Sequence, residues 1–195
     1  MIEMLLKGGW MMVPLALCSL ISLTIIIERF FYFRRLKASD AVEQVFELVG
    51  KGKLRDSQEL AETSPLPVLK VLSAGISNPS DPAKAMEAAG ISQYATLRQG
   101  LPTLDTIITL SPLLGLLGTI IGMVDSFQIM ATVSGGGSPH AVTGGVAEAL
   151  IATATGIGVA VTTLIPYNYF LSRVERESEI MEQYSTQLEM MLVKE

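Results

Sequence analysis

Residues 106–124 of the chain form the stretch TIITLSPLLGLLGTIIGMV, which contains no Asp, Glu, Lys or Arg. Two further stretches, 8–27 and 149–172, are equally free of charged residues. A bilayer core about 30 Å thick requires roughly 20 apolar residues of α-helix to cross it. Over the whole chain only 17% of the residues are charged, whereas a soluble domain carries about 25%. The three stretches therefore predict an all-α integral membrane protein with three transmembrane helices, and they argue against a soluble enzyme.

The basic residues indicate how these helices are oriented. The segment 126–147 contains no Lys or Arg, whereas a cluster follows each of the first and third stretches: Arg29, Arg34, Arg35 and Lys37, then Arg173 and Arg176. Lys and Arg near the ends of transmembrane helices collect on the cytoplasmic side. This pattern predicts that the N-terminus lies outside the cytoplasm and that the C-terminus lies inside it.

The chain divides accordingly into six segments. Residues 1–35 hold the outer N-terminal end and the first transmembrane helix, and residues 36–104 form a cytoplasmic helical domain. Residues 105–133 form the second transmembrane helix, 134–141 an external glycine-rich hairpin, 142–172 the third transmembrane helix and 173–195 a cytoplasmic C-terminal helix. Turn signals break the cytoplasmic domain into short helices, and a long helix from Asp81 is expected to continue through Asp105 into the membrane.

The C-terminal helix carries a heptad-like seam. Val174, Met181 and Leu188 recur every seventh residue on a helix that is otherwise rich in Glu. Such a seam packs either against the other helices of its own chain or against a second copy in a coiled coil. The sequence leaves both alternatives open.

Glu148 is the charged residue that most needs an explanation. It lies between two uncharged segments, 126–147 and 149–172. If the third helix begins near Val142, Glu148 lies about 9 Å along it, at 1.5 Å per residue. An ionisable group inside a membrane costs on the order of 3 kcal/mol, so it usually faces protein or a water-filled cavity and serves transport. The alternative is a Glu whose carboxylate reaches the outer membrane surface or caps a neighbouring helix.

Hydroxyl and small side chains share the helix face of Glu148. At 100° per residue, Ala152, Thr155, Val159 and Thr162 fall within about 40° of it. This stripe predicts a hydrated, proton-accessible lumen. In the second helix, Gly115, Gly118 and Gly122 have a spacing that lets helices pack closely, and Gly156 is the corresponding packing residue of the third helix.

Three linked motifs are SPLLGLLGTIIGM at 111–123 with Phe127, EALIATATGI at 148–157 with YNYF at 167–170, and the pair Glu28-Arg29 with the aromatic residues that follow it. Together they resemble the MotA/TolQ/ExbB proton channel family, most closely its ExbB/TolQ branch. The resemblance covers all three transmembrane helices, their order and their spacing. It departs from the family pattern near the end of the third helix, where Pro166 stands next to Tyr167.

The resemblance implies a homopentameric ring in the bacterial inner membrane, with a central pore lined by the second and third helices. It also implies a partner, a dimer of an ExbD/TolR-like single-span protein that brings an essential Asp into the pore, with a TonB/TolA-like transducer as a possible further component. By motif position the pore residues are Thr119, Glu148 and Thr153. On an ideal helix Thr153 lies about 140° from Glu148, whereas Thr155 lies about 20° away.

The function that the resemblance implies is a proton-channel subunit of a motor driven by the proton-motive force. The motor would energise transport, envelope maintenance or motility at the periplasm or outer membrane, and the sequence does not distinguish these processes or decide between H⁺ and Na⁺. Alternatives are a flagellar-type stator subunit, which usually has four transmembrane helices, and a non-conducting membrane scaffold. With one His and one Cys, we expect neither enzymatic activity nor a metal or other cofactor, and we expect no nucleic-acid partner.

Overall fold

The structure of the chain, a computed structural model, describes residues 9–36, 40–132 and 139–192, and the side chains of all of these except 132 and 139–142. Within these ranges the chain is helical and contains no β-strand. The helices are α1 (Met12–Arg35), α2 (Ala41–Gly50), α3 (Leu54–Thr63), α4 (Pro67–Ser77), α5 (Pro82–Leu97), α6 (Leu101–Thr132) and α7 (Pro139–Leu192).

Three of these helices are long and apolar enough to cross a bilayer. They are α1 with 24 residues, α6 with 32 residues and α7 with 54 residues. In the most apolar part of each helix no more than 28% of the residues are buried inside the chain. The remaining apolar surface requires a non-aqueous neighbour, because large apolar side chains are not stable in water over such an area. The prediction of an all-α chain with three membrane-spanning helices is therefore confirmed.

The chain forms two compact units. Unit 1 combines residues 1–28 with 100–168, and unit 2 combines 29–99 with 169–195. Unit 1 thus holds most of α1, all of α6 and the first part of α7. Unit 2 holds the four short helices and the last part of α7.

The heptad-like seam of the C-terminal segment is buried inside unit 2. Val174 and Leu188 have no exposed surface, and Met181 is 5% exposed. Two aromatic pairs join the same segment to other parts of unit 2: Phe170 stacks on Phe33 at 5.7 Å between ring centres, and Tyr184 packs on Phe46 at 5.5 Å. Of the two alternatives for the seam, packing against the chain's own helices is the one that the structure shows.

Two helix boundaries differ from the sequence expectation. The helix that begins at Pro82 does not continue through Asp105 but ends at Leu97, and a new helix begins at Leu101. The turn between them contains Gly100 at φ +78°, a left-handed conformation that glycine adopts without steric cost. The third long helix begins at Pro139 rather than near Val142, in keeping with the preference of proline for the first position of a helix. Of the predicted external hairpin, residues 134–138 lie outside the described residues.

Arg29 is a further departure, because it is buried although it belongs to the basic cluster that follows the first apolar stretch. Only 2% of it is exposed. Its Nη1 donates a hydrogen bond to the carbonyl of Thr96 at 3.2 Å, and its guanidinium lies 5.1 Å from the ring centre of Tyr32. Arg29 therefore joins the end of α1 to α5 inside unit 2.

Candidate functional site

Glu148 borders a cavity of about 300 Å³ within unit 1. The cavity is lined by residues that precede α1, by the second half of α6 and by α7, including Trp10, Ile121, Asp125 and Gly145. Glu148 itself is exposed in the isolated chain. It lies nine residues after the start of α7, which is about 13 Å along the helix at 1.5 Å per residue. The structure thus places this carboxyl group beside a partly polar space and deeper along its helix than the sequence suggested.

The carboxyl group of Glu148 packs directly against the backbone of Gly9. A methyl group added to Gly9 would overlap Oε1 of Glu148. Gly9 also has φ +69° and accepts a hydrogen bond on its carbonyl from the backbone N–H of Met12 at 3.1 Å. Only glycine combines this backbone conformation with the required space, so the segment before α1 helps to position the Glu148 side chain.

Asp125 is a residue that the sequence reasoning passed over. It directly follows the apolar stretch 106–124 and lines the same cavity as Glu148. Its neighbour Ser126 is 1% exposed and donates a hydrogen bond to the carbonyl of Gly122 at 2.7 Å. The signal that could have revealed the site is that Asp125 and Glu148 are the only charged residues between 106 and 172.

The four predicted packing glycines lie where α6 and α7 touch. A Cβ on Gly115 would lie 3.0 Å from the Ala152 carbonyl, and one on Gly118 would lie 2.8 Å from the Ala152 side chain. A Cβ on Gly122 would lie 3.0 Å from that of Ala149, and one on Gly156 would overlap the carbonyl of Ser111. Because these positions step in opposite directions along the two helices, α6 and α7 are antiparallel and in backbone contact.

Thr153 links the two helices with its hydroxyl group. Its Oγ1 donates a hydrogen bond to the carbonyl of Gly115 on α6 at 2.9 Å. Hydrogen bonds between membrane helices contribute on average about 0.6 kcal/mol. The side chain that motif position assigns to the pore therefore also stabilises the packing of α6 on α7.

The other three threonines donate hydrogen bonds within their own helices. Thr119 donates to the carbonyl of Leu116 at 2.6 Å, Thr155 to that of Ile151 at 2.8 Å and Thr162 to that of Gly158 at 2.8 Å. Each hydroxyl oxygen keeps its lone pairs for a further donor such as water. Thr162 is exposed, whereas Thr119 and Thr155 are half-buried.

The exposed face of α7 carries one stripe of small or polar residues. It contains Glu148, Thr155, Gly158 and Thr162, and no described atom outside the helix lies within 4 Å of a Cβ built on Gly158. Ala152, which the helix wheel also placed on this stripe, is instead 1% exposed and packs on Gly118. On the other exposed faces stand large apolar residues: Leu150, Ile157, Val161 and Leu164. The stripe is thus chemically distinct from the surface that suits lipid.

Among the described residues, no three His, Cys, Asp or Glu side chains come together to form a metal site.

A family model described as the MotA/TolQ/ExbB proton channel family matches residues 64–183 of the chain. The chain is 32% identical over 192 residues to a protein of Synechocystis named putative biopolymer transport protein ExbB-like 3, a match that covers 95% of this chain and 91% of the relative. A second Synechocystis protein, putative biopolymer transport protein ExbB-like 1, is 33% identical over 97% of this chain and 78% of its own length. The Tol-Pal system protein TolQ of Pseudomonas aeruginosa is 42% identical over 93 residues, which are 48% of this chain and 40% of TolQ.

The matched region begins just before α4 and continues into the C-terminal part of α7, so it includes Asp125, Glu148 and the whole contact between α6 and α7. The matches of high coverage are to ExbB-like proteins, and the shorter match to TolQ belongs to the same branch. The chain is a multi-pass membrane protein that belongs to the MotA/TolQ/ExbB proton channel family, on the side of its ExbB/TolQ branch.

Proposed function

We propose that the protein is the proton-channel subunit of an ExbB/TolQ-like motor in the bacterial inner membrane. Several copies, five by family resemblance, surround an axial passage together with an ExbD/TolR-like partner. The N-terminus lies in the periplasm and the C-terminus in the cytoplasm. Protons that cross through this assembly energise a process at the periplasm or outer membrane.

The observation that carries the proposal is the exposed carboxyl group of Glu148 on a helix that crosses the membrane. A carboxylate facing lipid at this depth is costly, so ionisable residues in membrane helices face protein or water. Within its own chain the Glu148 side chain is only partly covered, by Gly9 and the other residues that line the cavity. The exposed remainder therefore requires a polar neighbour, which another copy, the partner or a water-filled passage supplies.

The stripe on α7 supports the same arrangement. Thr155 and Thr162 continue from Glu148 along the helix, and small residues stand beside them. Hydroxyl oxygens that are bonded to the helix backbone still accept hydrogen bonds from water. A row of such groups holds water molecules along the passage without adding further charge, and Glu148 relays protons or guides them electrostatically toward the acid of the partner.

The energy source is the membrane gradient. Moving one charge across the membrane releases about 2.3 kcal/mol per 100 mV. A mechanical step larger than this requires several protons, which a ring of identical subunits delivers one after another.

Proton flux into liposomes tests the proposal directly. The chain is co-purified with the product of the adjacent gene, reconstituted, and compared with Glu148→Gln at the same protein content. We expect the substitution to lower the flux at least about tenfold, because general acid–base groups contribute on the order of 10²–10⁴-fold where they transfer the proton. Glu179→Gln, on the exposed surface of α7 beyond the apolar segment, is the matched control and should leave the flux unchanged.

An equal flux in wild type and Glu148→Gln would remove this carboxyl group from the mechanism. A reconstituted assembly without any flux, but with normal partner binding, would favour the non-conducting scaffold instead.

A further inference from the structure

Unit 2 contains a groove of about 580 Å³ between α5 and the last part of α7. Three carboxylates line it, Glu87 from α5 and Glu182 and Glu189 from α7, and none of the described Lys or Arg residues does so. We call it the acidic groove. Along α7 the imbalance extends beyond the groove, since residues 177–192 contain four Glu and no basic residue. At one end, Arg98 lies over the ring of Tyr94 at 5.7 Å.

Exposed apolar side chains accompany the charge of the acidic groove. Ile91 and Tyr94 line it and are 67% and 37% exposed. They belong to α5, outside the apolar segments that cross the membrane. A concave surface that combines exposed apolar side chains with charge of one sign is typical of an interaction site. Its occupant should therefore be basic and should cover the exposed apolar side chains.

The same unit presents a basic surface at residues 51–55, the turn between α2 and α3 together with the first two residues of α3, which we call the basic turn. Lys51, Lys53 and Arg55 are exposed there within five residues. Lys51 forms an ion pair with Glu47 one helical turn earlier. Lys53 and Arg55 form no ion pair with the described residues, so their charge is available to a neighbour.

The basic turn is held in one conformation. Gly52 has φ +70°, its N–H donates to the carbonyl of Val49 at 2.9 Å, and the N–H of Lys53 donates to the carbonyl of Leu48 at 3.0 Å. These two bonds form a Schellman motif, the regular end of a helix with a left-handed glycine. A turn already ordered in this way loses little conformational entropy when it binds.

The basic turn begins beside the end of α7, the helix that also lines the acidic groove. A Cβ on Gly50, the last residue of α2, would lie 3.6 Å from Cε of Met191, and Met191 follows Glu189 by two residues. In a ring around one axis, a surface of one copy meets a different surface of the next copy at the same height. Such head-to-tail contacts close into rings when the rotation between copies allows it.

We propose that the acidic groove of one copy receives the basic turn of a second copy of this chain. Lys53 and Arg55 then lie against Glu182 and Glu189, and the apolar parts of Ile91 and Tyr94 are covered. The contact specifies which faces of neighbouring subunits meet. This inference rests on the assembly of several copies that the proposed function requires, but not on proton conduction by Glu148.

Disulfide crosslinking in membranes tests the contact. Cys18 is the only cysteine of the chain and is first replaced by alanine. Two differently tagged chains are then produced together with the partner, one carrying Asp56→Cys beside the basic turn and the other Ser185→Cys in the acidic groove. We expect oxidation to give a dimer that carries both tags. Glu62→Cys, exposed at the far end of α3, replaces Asp56→Cys in the matched control and should give none.

Charge reversal provides a second, independent measurement on the same pair. Lys53→Glu with Arg55→Glu should lower the crosslinking yield about tenfold, since like charges placed opposite each other at an interface repel. Adding Glu182→Lys with Glu189→Lys in the second chain should restore the yield. Lys70→Glu, on the exposed side of α4, should have no effect.

Three results would overturn the inference: a control crosslink as strong as the test pair, a dimer of two Asp56→Cys chains, which indicates a two-fold interface, and a crosslink to another protein only. The inference would also be overturned if the charge reversal did not lower the crosslinking yield, or if the additional reversal in the second chain did not restore it. If a conducting ring forms without this contact, the inference fails and the proposed function remains.

Discussion

Gly156→Ala is the substitution whose effect follows most directly from the structure. The Cβ it adds would overlap the carbonyl of Ser111 and lie 3.2 Å from the Cα of Gly115. Both obstacles are backbone atoms of α6, which cannot move aside as a flexible side chain does. The added methyl group therefore forces α6 and α7 apart along their contact.

The expected magnitude is the difference between two terms. Overpacking of a tightly packed contact costs about 1–3 kcal/mol, whereas replacing glycine by alanine inside a helix is favourable by about 1 kcal/mol. We therefore expect Gly156→Ala to lower the free energy of unfolding by up to about 2 kcal/mol, with both terms included. Gly158→Ala is the matched control two residues later. No described atom outside the helix lies within 4 Å of its Cβ, so the helix term alone remains and the variant should be neutral or slightly more stable.

The assay is reversible unfolding of the purified chain in mixed detergent micelles, followed by circular dichroism and by the mobility of a spin label on the exposed face of α6. The label reports separation of the helices and the dichroism reports loss of helix. If Gly156→Ala and Gly158→Ala have the same stability and the same label mobility, the backbone contact between α6 and α7 is not as the structure describes it.

Three further predictions concern other side chains. Thr153→Val should lower the free energy of unfolding by about 0.6 kcal/mol, the average for hydrogen bonds between membrane helices. Thr155→Val loses only a hydrogen bond within its own helix and should not lower it. Equal losses of stability in the two variants would show that the hydrogen bond from Thr153 to Gly115 contributes nothing. Asp125→Asn should slow proton entry into reconstituted liposomes less than Glu148→Gln does, and a flux identical to wild type would separate Asp125 from the pathway. Burial raises the pKa of Glu177 above its ordinary value of 4.5, although two arginines of α7 lower it. Because the folded state then holds this proton more firmly than the unfolded state does, the protein loses stability as the pH rises through the raised pKa. The thermal unfolding temperature of wild type should therefore decrease more toward neutral pH than that of Glu177→Gln. Parallel pH profiles of the two unfolding temperatures would contradict this sign.

The fold could be predicted from sequence where one physical rule dominates. The charge-free stretches predicted three long helices because lipid excludes charges, and turn signals predicted that residues 36–104 break into short helices. Prediction was less successful at 98–100, where a single glycine with positive φ ends α5 before α6 begins. A glycine in a helical pattern is compatible with continuation and with termination, and only the contacts of the flanking helices decide which occurs.

The candidate site shows the same division. Glu148 stood out because a lone carboxylate in an apolar sequence is energetically conspicuous, and Gly115, Gly118 and Gly122 followed from the spacing that allows close packing of helices. Asp125 did not stand out, because a charge at the end of an apolar stretch is an ordinary boundary. Its position beside Glu148 results from the antiparallel packing of α6 on α7.

By itself, the sequence determined which segments are apolar, which residues within them are charged or small, and the family to which these motifs point. These are properties of single residues and of their spacing along one helix. Only the tertiary structure decided that Thr153 bonds across to Gly115, that Ala152 is covered while Thr162 is exposed, and that Gly9 lies against the carboxyl group of Glu148. The physical reason is that the rotation and height of one helix against another are set by the fit of both surfaces together. That fit cannot be calculated from either helix alone.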